Sequence, residues 1–306
     1  MGVKDETEPG VSRPRIALCQ FGGSFDGPTN ARRAEAMVRE AAAKGANLVC
    51  FPELSNTVYM PWEDDPRHFD NAETVPGPSV DVLRDAARDT GTMIVYPLFE
   101  RDGDRYYNCA VVIGVDGSVL GKYRKSSIPT SGLFSGGSER TYFAPGDLPF
   151  RTFDTPWGFR FGIIICYERN LPEPARCVGL QGADLLLCPV AATGTVEPWW
   201  EVLLRAHAIF NLFYVGACNK VGAEDGGAPD TAYFGTSLGV EPGGKVIAKG
   251  SGTEPEVVLF DMDMDLLARR RGRWSFWRDR RPDLYQAITR PLHGTEDAAS
   301  TESEAG

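Results

Sequence analysis

With 306 residues, 42% hydrophobic and 24% charged, the chain has the composition of a globular protein, long enough for one large domain or two small ones. Its net charge of −10 argues against nucleic acid as the main partner, because phosphate binding needs clustered Lys and Arg. No apolar run approaches the roughly 20 residues of a membrane span, and the polar start, with Asp5, Glu6 and Glu8, lacks the apolar heart of a signal peptide. The seven cysteines form no C-x-x-C pair, and several lie inside apolar runs. They read as reduced thiols in a cytoplasmic protein, neither a disulfide framework nor a metal site.

Residues 1–13 read as a flexible terminus. Residues 15–20 form the first predicted strand. Residues 29–44 carry apolar spacing at Ala31, Ala34, Met37 and Val38, with Thr29 or Asn30 placed to cap a helix. A strand over 47–51 stops at Pro52-Glu53, and this strand–helix–strand unit implies parallel pairing with a right-handed crossover. A polar and aromatic loop over 55–78 contains Tyr59 and Trp62; loops of that length in compact domains tend to be functional. A helix over 79–90 and a strand over 93–98 follow. Residues 106–115 and 119–123 read as a hairpin turning at Asp116-Gly117. Residues 125–147, rich in Ser, Gly and Pro, read as loop. Residues 159–166 include three successive isoleucines, which suits a strand buried on both faces and ending on Cys166. Helices over 172–179 and 199–211 alternate with strands over 183–189 and 213–217. Two short strands, 236–240 and 245–248, flank Pro242-Gly243-Gly244, and 257–261 is the last strand. Residues 291–306 read as an acidic flexible tail; from His293 onward there are four acids and no Lys or Arg. No linker divides the chain, so residues 14–290 read as one α/β domain with two sheets and outer helices. The two helix–strand blocks hint at internal repetition.

Three chemically distinct residues fall at predicted strand ends: Glu53, Lys125 and Cys166. If those strands are neighbours, a carboxylate, an ammonium and a thiol converge. The carboxylate takes the thiol proton and the thiolate attacks. The ammonium, with a backbone N–H after the cysteine, stabilises the oxyanion of a tetrahedral intermediate. The carboxylate then protonates a leaving amine and activates water. Taken singly, each has a plainer reading: a buried small hydrophobe for Cys166, a helix cap for Glu53, a solvated basic edge for Lys122, Arg124 and Lys125.

Together the motifs Phe51-Pro52-Glu53, Tyr123-Arg124-Lys125 with Ile128-Pro129, and Cys166-Tyr167-Glu168 ending in Pro172-Glu173 resemble the nitrilase superfamily of carbon–nitrogen hydrolases. The resemblance runs from Arg15 to Tyr285. It is supported by Tyr142-Phe143 before Pro145-Gly146-Asp147, Arg205-Ala206 through Asn211, Asn219-Lys220-Val221-Gly222, and Arg278-Asp279-Arg280-Arg281-Pro282-Asp283-Leu284-Tyr285. It implies a four-layer α-β-β-α sandwich that forms a homodimer or a higher homo-oligomer and uses no metal or organic cofactor. It also implies Glu53 as general base, Lys125 as stabiliser of the intermediate, Cys166 as nucleophile and Glu139 as an assisting glutamate. Many relatives carry His two residues after the lysine, where this chain has Ser127.

Arg169 in Cys166-Tyr167-Glu168-Arg169-Asn170 resembles the arginine with which carbamoylases hold a substrate carboxylate, a task suited to a bidentate guanidinium; alternatively it pairs with a neighbouring acid. The expected substrate is a small molecule, an N-carbamoyl amino acid cleaved to amino acid, carbon dioxide and ammonia through a thioester. An aliphatic amidase or N-carbamoylputrescine amidase with the same triad is the alternative; nitrile hydrolysis and a catalytically silent scaffold are further ones. Tyr59, Trp62, Tyr167, Asn170 and Trp200 are candidate contacts in the pocket, which the 55–78 loop and the 126–139 segment shape.

Overall fold

The computed structural model describes residues 13–130, 138–228 and 231–290. The expectations for the two termini lie almost wholly outside these residues, as does the middle of the 126–139 segment. The chain divides into two compact units, Met1–Arg273 and Trp274–Gly306, so the 14–290 domain read from sequence spans both.

The first unit holds two six-stranded sheets. One runs in the spatial order β14 (Glu256–Asp261), β1 (Arg15–Gln20), β2 (Leu48–Cys50), β3 (Met93–Asp102), β4 (Arg105–Ile113), β5 (Val119–Arg124). The other runs β13 (Val246–Lys249), β12 (Leu238–Val240), β9 (Tyr214–Asn219), β8 (Leu185–Val190), β7 (Arg160–Ile163), β6 (Thr152–Asp154). A separate ribbon pairs β10 (Val221–Ala223) with β11 (Ala232–Phe234). Each large sheet has three parallel strands at its centre, β1-β2-β3 or β7-β8-β9, bordered by antiparallel ones. The two sheets therefore share one strand pattern, the first completed by β14 from the second half of the chain.

Strand alternation sorts the side chains into layers. Ile16 and Leu18 of β1 face the core shared with Phe161, Leu187 and Val215 of the other sheet. Ala17 and Cys19 face the opposite way, into the cluster beneath α1 (Gly27–Ala43) and α2 (Pro78–Thr90). On the second sheet, Ala175 and Val178 of α4 (Pro172–Leu180) and Trp200, Leu204 and Ala208 of α5 (Glu197–Asn211) join the core. The result is the four-layer α-β-β-α sandwich. Where α4 crosses β7 the backbone approach is so close that a Cβ at Gly162 would lie 2.0 Å from Val178 Cγ1.

Several boundaries differ from the sequence reading. Asp26 caps α1, its carboxylate accepting the Thr29 N–H at 3.1 Å ahead of Pro28 in the first turn. Asn30, an expected cap, is buried and exchanges hydrogen bonds with the Ser24 backbone. Strand β3 runs on to Asp102 and turns into β4, and the expected loop over 125–147 contains the one-turn α3 (Glu139–Tyr142). Strand β7 ends at Ile163, three residues short of the expected end, and α6 (Met264–Arg273) has no counterpart in the reading.

The second unit contributes two short 3-10 turns, Pro282–Leu284 and Gln286–Thr289, and an exposed Arg281–Asp283 pair. Among the described residues no helix is long and apolar enough to cross a membrane.

Candidate active site

Glu53 stands three residues beyond β2, Lys125 directly after β5, and Cys166 three residues beyond β7. The first two come from one sheet and the third from the other, so the site lies where the sheets meet. Lys125 is its centre. Its fully buried ammonium donates to Glu53 Oε1 at 3.0 Å and to Glu139 Oε1 and Oε2 at 2.8 and 2.6 Å. Burial alone would lower the Lys125 pKa; Glu139 and Glu53 outweigh it and hold the pKa above its ordinary value. Glu139 is raised, because its burial outweighs the pull of Lys125 and Glu53 adds repulsion.

Each carboxylate is held from a second side. Asn108 Nδ2 donates to Glu53 Oε1 at 2.7 Å and the Ala191 N–H to Glu53 Oε2 at 3.0 Å. Tyr59 OH donates to Glu139 Oε1 at 2.8 Å. Burial, then Glu139, pushes the Tyr59 hydroxyl well above its usual pKa, so it remains a donor.

Cys166 opens a 3-10 turn, Cys166–Asn170, with φ +49°. A non-glycine residue in that region carries strain, which persists only where the surroundings hold it. Glu168 supplies that hold. Its buried carboxylate accepts through Oε1 from Tyr123 OH (2.7 Å), Ser126 N (2.9 Å), Ser126 Oγ (2.6 Å) and Ser127 N (3.2 Å). Through Oε2 it accepts from Ile165 N at 2.8 Å. The residue before the cysteine is thus tied to the two residues after the lysine. Ser127 joins this clamp through its backbone.

The Cys166 thiol is pushed up to about 12, by burial first and then by the Glu53 charge, while Lys125 and Arg169 pull the other way. Arg169 Nη1 donates to the Cys166 carbonyl at 2.7 Å and lies 3.5 Å from Sγ, and its guanidinium rests over the Trp200 ring at 5.7 Å. The ring Nε2–H of His207 donates to the Arg169 carbonyl at 2.7 Å, and burial keeps that imidazole neutral. Arg169 Nε is buried without a hydrogen-bond partner, and among the described residues no carboxylate lies within ion-pair reach of Arg169.

The structure therefore brings together Glu53, Lys125, Glu139, Tyr59, Cys166, Arg169 and Trp200. Tyr167 is half-buried and Asn170 exposed, and no hydrogen bond among the described residues ties either to Glu53, Lys125 or Glu139. The sequence reading gave no role to Asn108, Glu168 or Tyr123. A lone Asn within the apolar run Tyr106 to Ile113 was the available signal for the first. All seven cysteines are free thiols, and among the described residues no group of three or more His, Cys, Asp or Glu is placed to hold a metal.

The profile of the family described as carbon-nitrogen hydrolase matches residues 15–271. An N-carbamoylputrescine amidase from Solanum lycopersicum is 33% identical over 285 residues, covering 89% of this chain and 94% of the relative. The crystal structure of a carbon-nitrogen hydrolase from Helicobacter pylori G27 superimposes with a TM-score of 0.84 at 29% identity, covering 92% of this chain and 99% of that one. A variant of the amidase from Nesterenkonia sp. AN1, bearing the product of Michael addition of acrylamide at its active-site cysteine, matches with a TM-score of 0.72 at 26% identity, over 90% and 99% of the two chains. The chain belongs to the carbon–nitrogen hydrolase family of the nitrilase superfamily and is an amidohydrolase.

Proposed function

We propose that the chain hydrolyses an N-carbamoyl amino acid, such as N-carbamoyl-β-alanine or an N-carbamoyl α-amino acid, with Cys166 as nucleophile, Glu53 as general base, Lys125 as electrostatic stabiliser and Glu139 as its support. Glu53 takes the Sγ proton as sulfur attacks the ureido carbon. Lys125, with the N–H groups opening the 3-10 turn, receives the charge that grows on oxygen. Protonated Glu53 hands its proton to the departing nitrogen, one C–N bond breaks, and a thioester remains. Water deprotonated by Glu53 cleaves it, sulfur regains its proton, and the carbamic acid released loses carbon dioxide as its remaining C–N bond breaks, so the products are amino acid, carbon dioxide and ammonia. The reaction starts from thiol, which fits the raised Cys166 pKa: a proton that leaves only in concert with attack cannot be lost to solvent beforehand.

The observation that carries the substrate class is Arg169. A buried guanidinium is costly unless an anion answers it, and here the answering groups are a carbonyl and an aromatic face. A substrate carboxylate fits that demand. The test is ammonia release on N-carbamoyl-β-alanine, N-carbamoyl D- and L-amino acids, N-carbamoylputrescine, aliphatic amides and one nitrile. Turnover confined to carboxylate-bearing carbamoyl compounds is the expected result. Arg169→Met should lower kcat/KM for them, relative to simple amides, by about 10- to 150-fold, the value of roughly 1.5–3 kcal/mol for hydrogen bonds to a charged group. The likeness to N-carbamoylputrescine amidase favours a second reading, in which the cationic carbamoyl compound is turned over instead and Arg169 serves only the thiol.

The expected partner is a second copy of the chain. Helix α5 supports this: while Trp200, Leu204, His207, Ala208 and Asn211 are buried, Trp199, Val202 and Phe210 on its other side are exposed. Light scattering at micromolar concentration should give at least twice the monomer mass, and Val202→Asp with Phe210→Asp should return the monomer. A wild-type monomer would remove the proposal.

A further inference from the structure

The motif Asn219-Lys220-Val221-Gly222 takes no part in the chemistry above, yet it places a second buried ion pair beside the first. Lys220 Nζ lies 2.7 Å from Glu224 Oε1, with both side chains shut away from solvent. The ammonium also donates to the carbonyls of Leu54 and Thr57, each at 3.2 Å. Glu224 Oε2 accepts the Tyr59 N–H at 2.8 Å and Tyr233 OH at 3.0 Å, and Oε1 accepts the Gly23 N–H at 3.2 Å. One pair thus grips residues 54, 57 and 59. That stretch begins next to Glu53 and ends at Tyr59, whose hydroxyl holds Glu139. Leu54 sits at φ +50°, a conformation that persists only when its surroundings impose it.

We propose that Lys220 and Glu224 are positioning residues that fix where Glu53 and Glu139 stand on either side of Lys125. The chemistry of the spot explains why charges are used. Two carbonyls and a carboxylate converge on one point, and an ammonium alone among side chains of that size offers three donors from a single atom. The carboxylate in turn accepts from two N–H groups and a hydroxyl. The pair touches neither sulfur nor the ammonium of Lys125; it acts through the segment it grips. The inference rests on the Glu53–Lys125–Cys166 assignment.

The experiment measures kcat, KM and the pH profile of kcat for Lys220→Met, Lys220→Arg and Glu224→Gln. Rates are referred to folded protein by circular dichroism and taken well below each melting temperature. Lys220→Met and Glu224→Gln are expected to lower kcat by about 10²-fold, the scale of an ångström of misplacement. KM should stay within about threefold of wild type, and the acid limb of the profile should move because the carboxylates around Lys125 are respaced. Lys220→Arg, which keeps charge and donors, should recover at least tenfold of the loss. A folded Lys220→Met or Glu224→Gln protein with kcat within threefold of wild type and an unmoved profile overturns the proposal. Should Lys220→Met not fold, Glu224→Gln, which keeps the side-chain volume, decides on the same readings. Cys166→Ala in the same assay separates the two layers. Turnover surviving it overturns the triad assignment and this inference with it. Its loss beside normal Glu224→Gln and Lys220→Met rates overturns the positioning role alone.

Discussion

Cys166→Ala is expected to lower ammonia release by roughly 10⁴-fold or more, the scale on which loss of a nucleophile acts when the remaining groups work as a unit. Substrate binding should survive, since Arg169 and Trp200 stay in place. A catalytically silent scaffold would show no such loss, because there would be no hydrolysis to lose. The same variant reports the resting state of the sulfur. With the Cys166 thiol pushed up to about 12, the difference in thiolate absorbance between wild type and Cys166→Ala should be absent at neutral pH and grow only in strongly alkaline solution. The other cysteines cancel in that difference. A thiolate signal at neutral pH would mean that the proton has gone before substrate arrives, and Glu53 would no longer be needed to take it.

Lys125→Met should be at least as damaging, and its damage should extend to the fold. Glu53 and Glu139 both answer Lys125, and all three side chains are buried. Removing the cation leaves two buried carboxylates facing one another. Breaking a buried pair in this way costs about 3–5 kcal/mol. The loss should depend on pH with a definite sign. Glu139 already titrates above its ordinary value because of burial, and Lys125 is the main influence pulling it down. Without that influence its folded pKa rises further above the unfolded one. The folded variant then holds a proton that the unfolded chain releases, so its stability is full below the unfolded carboxylate pKa of about 4.3 and falls as pH rises through the folded value. In wild type the same sign holds at Lys125, in a far more alkaline window. There the raised ammonium pKa contributes stability that is present below the unfolded lysine value and lost only as pH rises through the folded one. Melting curves of both proteins between pH 4 and 9 measure this. A Lys125→Met protein whose midpoint does not improve relative to wild type on acidification would show that the carboxylates do not depend on Lys125 for their charge.

Most of this frame could be read from the residues because strand ends announce themselves. The runs before Glu53 and Cys166 are apolar and β-branched, and they stop at Pro52 or at a polar turn. What could not be read was anything set by partners distant in sequence. Glu168 stands inside one of the motifs, but its three partner residues other than Ile165 lie over 40 residues upstream. Lys220 likewise meets Leu54 and Thr57 from more than 160 residues away. The cap of α1 was misplaced for a local reason: Thr29 and Asn30 are both good capping types, but Pro28 suits the first turn of a helix and pushes the cap back to Asp26. The end of β7 lies three residues before Cys166, where the sequence reading placed it, for a related reason. The isoleucine run continues past Ile163 while the backbone leaves the sheet, and hydrophobicity alone does not mark where ladder hydrogen bonds stop.

The repeated topology of the two sheets has a further consequence. The first half of the chain furnishes Glu53 and Lys125; the second furnishes Cys166. Neither half alone carries all three residues, even though the two sheets share a strand pattern. They come together only where the halves are mated, and the side chains between the sheets act as shims that set the spacing. Leu18, Leu187 and Phe260 crowd Gly216 so closely that a methyl group there would sit 3.1–3.3 Å from all three. A residue of this kind sets the width of the gap between two layers.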